Sequence, residues 1–80
     1  MSWNYRVLAF VEDDETILQI CEVYYDKNNQ PNGYTDGNKV ISTEGKSGLN
    51  WLLSKYHEAL EKPILYGGDK FPQIYESDEN

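Results

Sequence analysis

Few side chains in this 80-residue sequence could do covalent or acid–base chemistry, and they are scattered. Cys21 and His57 are the only residues of their types. A thiol nucleophile needs a base within hydrogen-bond reach and a third group to orient it. Cys21 falls inside an apolar stretch and reads as a small buried hydrophobe, and His57 reads as a boundary residue on a helix. One histidine and one cysteine do not make a zinc site. Gly45-Lys46-Ser47 ahead of a helix has the end of a phosphate-binding loop, but the first glycine of that motif would have to be residue 40, which is Val40. Asp26, Asn28 and Gln30 alternate as calcium-loop ligands do, yet Pro31 stands where the loop needs glycine and Gly37 where it needs glutamate. Glu12 to Glu15 could hold a divalent ion weakly. The remaining candidate is a partly buried structural ion pair between Arg6 and Glu22. The expectation is therefore no catalytic residue, no metal and no cofactor.

Charge narrows the partners. Fourteen acidic against seven basic residues give a net charge of −7, −4 of it over residues 1–40 and −3 over residues 41–80. The clusters Glu12-Asp13-Asp14-Glu15 and Glu76-Ser77-Asp78-Glu79 repel phosphate backbones and anionic headgroups, which disfavours direct contact with nucleic acid or membrane. A DNA mimic is disfavoured as well, since duplex DNA carries about 18 charges over the ~30 Å of a domain this size. The longest apolar run, Val7 to Val11, is far shorter than the ~20 residues of a membrane span, and no secretory hydrophobic segment opens the chain. With a lone cysteine, a cytoplasmic setting is expected.

Positioning these residues requires regular elements, and the composition, 39% hydrophobic and 14% aromatic, is that of one globular domain over residues 1–80. The ordered core is expected over about residues 4–66, with residues 67–80 partly irregular and the end disordered. Residues 5–11 and 17–25 are rich in aromatic and β-branched types and flank the acidic cluster, which predicts a β-hairpin with a loop over residues 12–16. That register pairs Val11 with Ile17, Phe10 with Leu18, Leu8 with Ile20 and Arg6 with Glu22; a slip of one residue would bring Arg6 opposite Cys21 instead. The turn formers of residues 26–33 lead to a short strand around Tyr34-Thr35. Asp36-Gly37 marks another turn, and Val40-Ile41 could extend or restart the strand. Ser47 is a candidate N-cap for a helix to about Lys62, stopped by Pro63. Leu49, Leu52, Leu53, Tyr56, Ala59 and Leu60 recur at helical spacing as its buried stripe, with Trp51 opposite, beside Lys55. The fold class is α+β: a three-stranded antiparallel meander with one helix on one face.

Both faces of such a sheet are apolar, Leu8, Phe10, Leu18, Ile20 and Tyr24 on one and Tyr5, Val7, Ala9, Val11, Ile17, Cys21, Val23 and Tyr25 on the other. One helix covers one face. Residues 64–75, a second copy or another protein must cover the other. The candidate partner-binding residues are Trp51, Lys55, Tyr5 and Tyr25 with the carboxylates Glu12, Asp13, Asp14 and Glu15.

The segments Asn4-Tyr5-Arg6, Glu22-Val23-Tyr24-Tyr25-Asp26, Gly33-Tyr34-Thr35 and Ala59-Leu60-Glu61-Lys62-Pro63-Ile64-Leu65 resemble, in order and spacing, a group of small uncharacterised bacterial proteins. The resemblance covers about residues 4–65 and implies a β-β-β-α unit of bacteria or their phages. It carries over no catalytic residue. The functional expectation is a non-enzymatic acidic module that binds a basic protein, with a structural homodimer as the alternative and a small enzyme disfavoured.

Overall fold

A computed structural model describes residues 2–35 and 43–76. Strands β1 (Ser2–Glu12) and β2 (Glu15–Tyr25) form a long antiparallel hairpin, and β3 (Pro31–Tyr34) pairs antiparallel with the end of β2. Helix α1 (Gly45–Ala59) follows, then a two-residue strand β4 (Leu65–Tyr66) and a 3₁₀ turn (Gly68–Lys70). β4 runs parallel to β1 on its outer side, so the sheet is four-stranded and mixed, in the order β3-β2-β1-β4, where a purely antiparallel meander of three was expected. The turn at Asp36-Gly37, the strand at Val40-Ile41 and Ser77-Asp78-Glu79 of the second acidic cluster lie outside the described residues.

The hairpin is tighter than its sequence suggests. A two-residue turn, Asp13-Asp14, joins the strands, Glu12 pairs with Glu15, and Asp13 takes up φ 51°, a left-handed conformation that aspartate tolerates. Closing the loop by three residues adds ladder pairs and moves the register by one, so Arg6 faces Cys21, Leu8 faces Gln19 and Phe10 faces Ile17. The expected pairings Val11 with Ile17, Phe10 with Leu18, Leu8 with Ile20 and Arg6 with Glu22 do not form. Because side chains alternate, the slip exchanges the faces of β2 relative to β1. Leu8 and Phe10 share a face with Ile17, Cys21, Val23 and Tyr25, while Tyr5, Val7, Ala9 and Val11 share the other with Leu18, Ile20 and Tyr24.

Arg6 and Glu22 therefore point to opposite sides of the sheet, and the expected ion pair is absent. The Arg6 guanidinium donates to the Tyr25 hydroxyl at 3.0 Å and to the Pro63 carbonyl at 2.8 Å. The Glu22 carboxylate accepts the Tyr24 hydroxyl at 2.8 Å. At the far end of β2, Asp26 Oδ1 accepts the amides of Asn28 and Gln30 at 2.9 and 3.0 Å, so the alternating polar residues of that turn organise the backbone.

Each face of the sheet is sheltered by this chain. Helix α1 crosses β1, burying Leu52 and Ala59 over Val7 and Ala9 and bringing Tyr56 edge-on to Tyr5 at 4.7 Å. The second face holds the core of Leu8, Cys21, Val23 and Leu65, with Phe10, Tyr25, Tyr34 and Phe71 packed on it. Residues 65–75 fold back to close it. The Gly67 amide donates to the Ala9 carbonyl at 2.9 Å, the Gly68 amide to the Tyr34 hydroxyl at 2.7 Å and the Tyr75 amide to the Ile64 carbonyl at 2.7 Å, while Phe71 stacks on Tyr34 at 4.8 Å. The chain's own segment, one of the three covers expected for this face, lies against it.

The helix differs from its expected form at both ends and on its buried side. It begins at Gly45, two residues ahead of Ser47, with Glu44 at the N-cap and no side-chain cap bond. It ends at Ala59, after which the amides of Leu60, Glu61 and Lys62 bond three residues back, the tighter winding that precedes Pro63. Only Leu52 and Ala59 of the leucine-rich stripe are buried, at 8% and 1% exposure, whereas Leu60 is 65% exposed and Leu49 and Leu53 are exposed too. A helix resting on a single strand has a narrow footprint, and at ~100° per residue these three leucines sit about 60–100° around from it.

Candidate functional site

The side chains singled out from the sequence are sorted by the fold into two surfaces. The first lies where the flank of α1 meets the start of β1. Trp3, Asn4 and Tyr5 line one wall of an open groove of about 190 Å³, and Trp51, Lys55, Glu58 and Lys62 line the other. Three expected partner-binding residues, Tyr5, Trp51 and Lys55, are thus brought together. Trp51 is 56% exposed and Trp3 48%. Trp3 stacks edge-on to Tyr5 at 5.2 Å, continuing the contact of Tyr5 with Tyr56. The Lys55 ammonium lies 5.6 Å from the centre of the Trp51 ring and 3.6 Å from the Glu58 carboxylate, so it both covers the indole and lines the groove.

Trp3 is the member that sequence reading missed. β1 begins three residues before the expected strand, and the signal was Trp3 standing two residues ahead of Tyr5, hence on the same strand face. Burial, then the neighbouring Tyr56 and Glu22, raise the Tyr5 phenol above its ordinary pKa of 10.0. The Tyr24 phenol is raised first by its hydrogen bond to Glu22. Both groups therefore stay neutral donors through the physiological range.

The second surface is the hairpin tip. Glu12 and Glu15 sit directly across from one another, with Asp13 and Asp14 in the turn between them, all four exposed. Among the described residues none of these carboxylates has an ion pair. Phe10 is half-buried and Ile17 exposed on the same face, and Val11 and Leu18 are exposed on the other. Two open grooves of about 470 and 350 Å³ share Phe10 and Glu12; the first is completed by residues 66–70 with Val11, the second by Ile17, Gln19 and Tyr34. Each strand of 11 residues spans about 36 Å at ~3.3 Å per residue, close to the 39 Å long axis, so the tip stands at one end of the molecule.

Comparison with known proteins returns no matching family model, no matching curated protein and no matching solved structure.

The other candidates fall outside both. Tyr25 lies on the opposite sheet face from Tyr5 and Trp51, where its hydroxyl accepts from Arg6 and donates to Asn4 Oδ1 at 2.9 Å. The Cys21 thiol is buried, and His57 is exposed on the solvent side of α1. Cys21 lies with Leu8, Val23 and Leu65 in the core of the face closed by residues 65–75, while α1, which carries His57, packs on the other face. Among the described residues there is no group of three histidine, cysteine, aspartate or glutamate side chains that could hold a metal ion, and no helix is long and apolar enough to cross a membrane.

Proposed function

We propose that this chain is a non-enzymatic, acidic protein-binding module that occludes a basic surface on a bacterial partner, as an inhibitor, immunity or anti-defence protein of bacteria or phage would. The observation that carries the reading is the hairpin tip. Two glutamates directly opposite each other repel and cost stability, and neither has an ion pair among the described residues. Beside them stand exposed Ile17, Val11 and Leu18, apolar surface that a partner would remove from water. Carboxylates around apolar anchors suit a basic protein: the charges speed encounter and the anchors hold the complex. A net charge of −7 extends the same field over the molecule.

The immobilised chain is expected to capture a basic protein from bacterial lysate, and the association rate of the purified pair to fall at least tenfold between 0.05 and 0.5 M salt. Glu12→Lys with Glu15→Lys should abolish capture with an unchanged thermal transition. Association indifferent to salt, or full capture by the double variant, defeats the proposal. A homodimer through the second sheet face is less supported, because residues 65–75 already occupy that face.

A further inference from the structure

We infer that the outer edge of β1 over Ser2–Tyr5, together with the groove between Trp3 and Trp51, is a second binding site, and that it takes an extended acidic peptide segment of a protein partner as an added strand. This site is separate from the tip and opposite to it in charge.

Backbone direction carries the first part. The Ala9 carbonyl accepts from the Gly67 amide, so Ala9 turns its amide groups outward, away from β2. The Glu22 carbonyl accepts from the Thr35 amide, so Glu22 turns away from β1, and its partner Tyr5 turns outward likewise. With a period of two, Trp3 follows. β4 pairs with β1 only at Leu8 and Ala9, and the Arg6 bond to Pro63 marks where the departing chain crosses the edge. Trp3 and Tyr5 are left with two N–H and two C=O groups that no described strand satisfies, a template for strand addition.

The groove supplies selectivity. It touches Trp3, Asn4 and Tyr5 in succession, residues whose side chains alternate between the two faces, so it wraps the strand's edge. That edge is the outer one, since β2 fills the inner. A volume of about 190 Å³ is small beside the ~300–1,000 Å³ of ligand and cofactor sites and close to the ~150 Å³ that accepts a single benzene ring. It fits one anchoring side chain of an added strand. The charge of the walls names the rest of the ligand. Lys55 and Lys62 stand against the single carboxylate of Glu58, a local surplus of positive charge on a chain with twice as many acids as bases. A segment that carries an apolar and an acidic residue two positions apart, hence on one face of the added strand, puts the apolar side chain into the groove and the carboxylate toward the lysines.

Trp3 and Trp51 are the only tryptophans in the chain, so intrinsic fluorescence reads the groove directly. The test is titration of the full chain with a capped six-residue peptide whose alternate positions are valine, glutamate and valine on one face and threonine on the other. A saturable change in tryptophan emission is expected, weakened at least tenfold in Lys62→Glu and by N-methylation of alternate peptide amides, and kept in Glu12→Lys with Glu15→Lys. The last variant separates this site from the tip. The inference is overturned if emission does not change up to millimolar peptide, or if the same peptide with lysine in place of its glutamate binds equally well. It is also overturned if N-methylation has no effect, if emission shifts on concentrating the protein alone, which assigns the groove to a second copy, or if a chain ending at Glu76 has altered emission without peptide.

Discussion

Single atoms set the closest contacts of this fold. Gly67 passes so near the Phe10 ring that a β-carbon on it would overlap the aromatic carbons, although its φ of −90° is open to any residue. The constraint is contact, and its cost is that of overpacking. Gly67→Ala should destabilise by about 1–3 kcal/mol in urea unfolding, and adding Phe10→Leu should recover part of the loss. An alanine variant as stable as the parent would show that the C-terminal segment is not seated on Phe10. Arg6 makes the same point about legibility. Opposite charges on neighbouring strands favour its pairing with Glu22. The two-residue turn at Asp13-Asp14 moves it to the other face, where a phenol and a carbonyl take the guanidinium.

At the level of elements, the helix shows how far periodicity reaches. Its existence and the outward side of Trp51 follow from spacing and from Pro63. Which apolar residues go inside does not, because the stripe of leucines is wider than the single strand that receives it. Leu52→Ala should therefore cost about 2–4 kcal/mol of folding free energy, and Leu60→Gln should stay within about 0.5 kcal/mol. Chemical denaturation of the two variants separates the readings; equal losses would mean that the whole stripe is buried. The groove was half legible in the same way. Trp51, Lys55 and Tyr5 stood out singly, but the strand that brings Trp3 alongside them starts earlier than its β-forming composition suggests.

For the whole molecule, a small domain gains two covered sheet faces by closing one with a helix and the other with residues 65–75. A core of this size yields only about 3–5 kcal/mol, so that segment is a large share of stability. A chain ending at Tyr66 uncovers Leu8, Phe10, Tyr34 and Leu65. It is expected to lose its cooperative urea transition or to sediment as larger species. A monomeric truncated chain unfolding within about 1 kcal/mol of the parent would remove this account of the second face. The closed sheet also leaves the acidic hairpin tip and the lysine-lined aromatic groove exposed, two surfaces of opposite charge.

By itself the sequence determined the α+β class, the hairpin, the single helix and the acidic character, because these depend on local pattern and on composition. The tertiary structure alone decided the register of the hairpin, the parallel β4, the closing of the second face and the meeting of Trp3 with Trp51. The physical reason is that each of these depends on how elements pair and pack on one another, where a two-residue turn or a narrow helix footprint selects among arrangements that local preference leaves nearly equal.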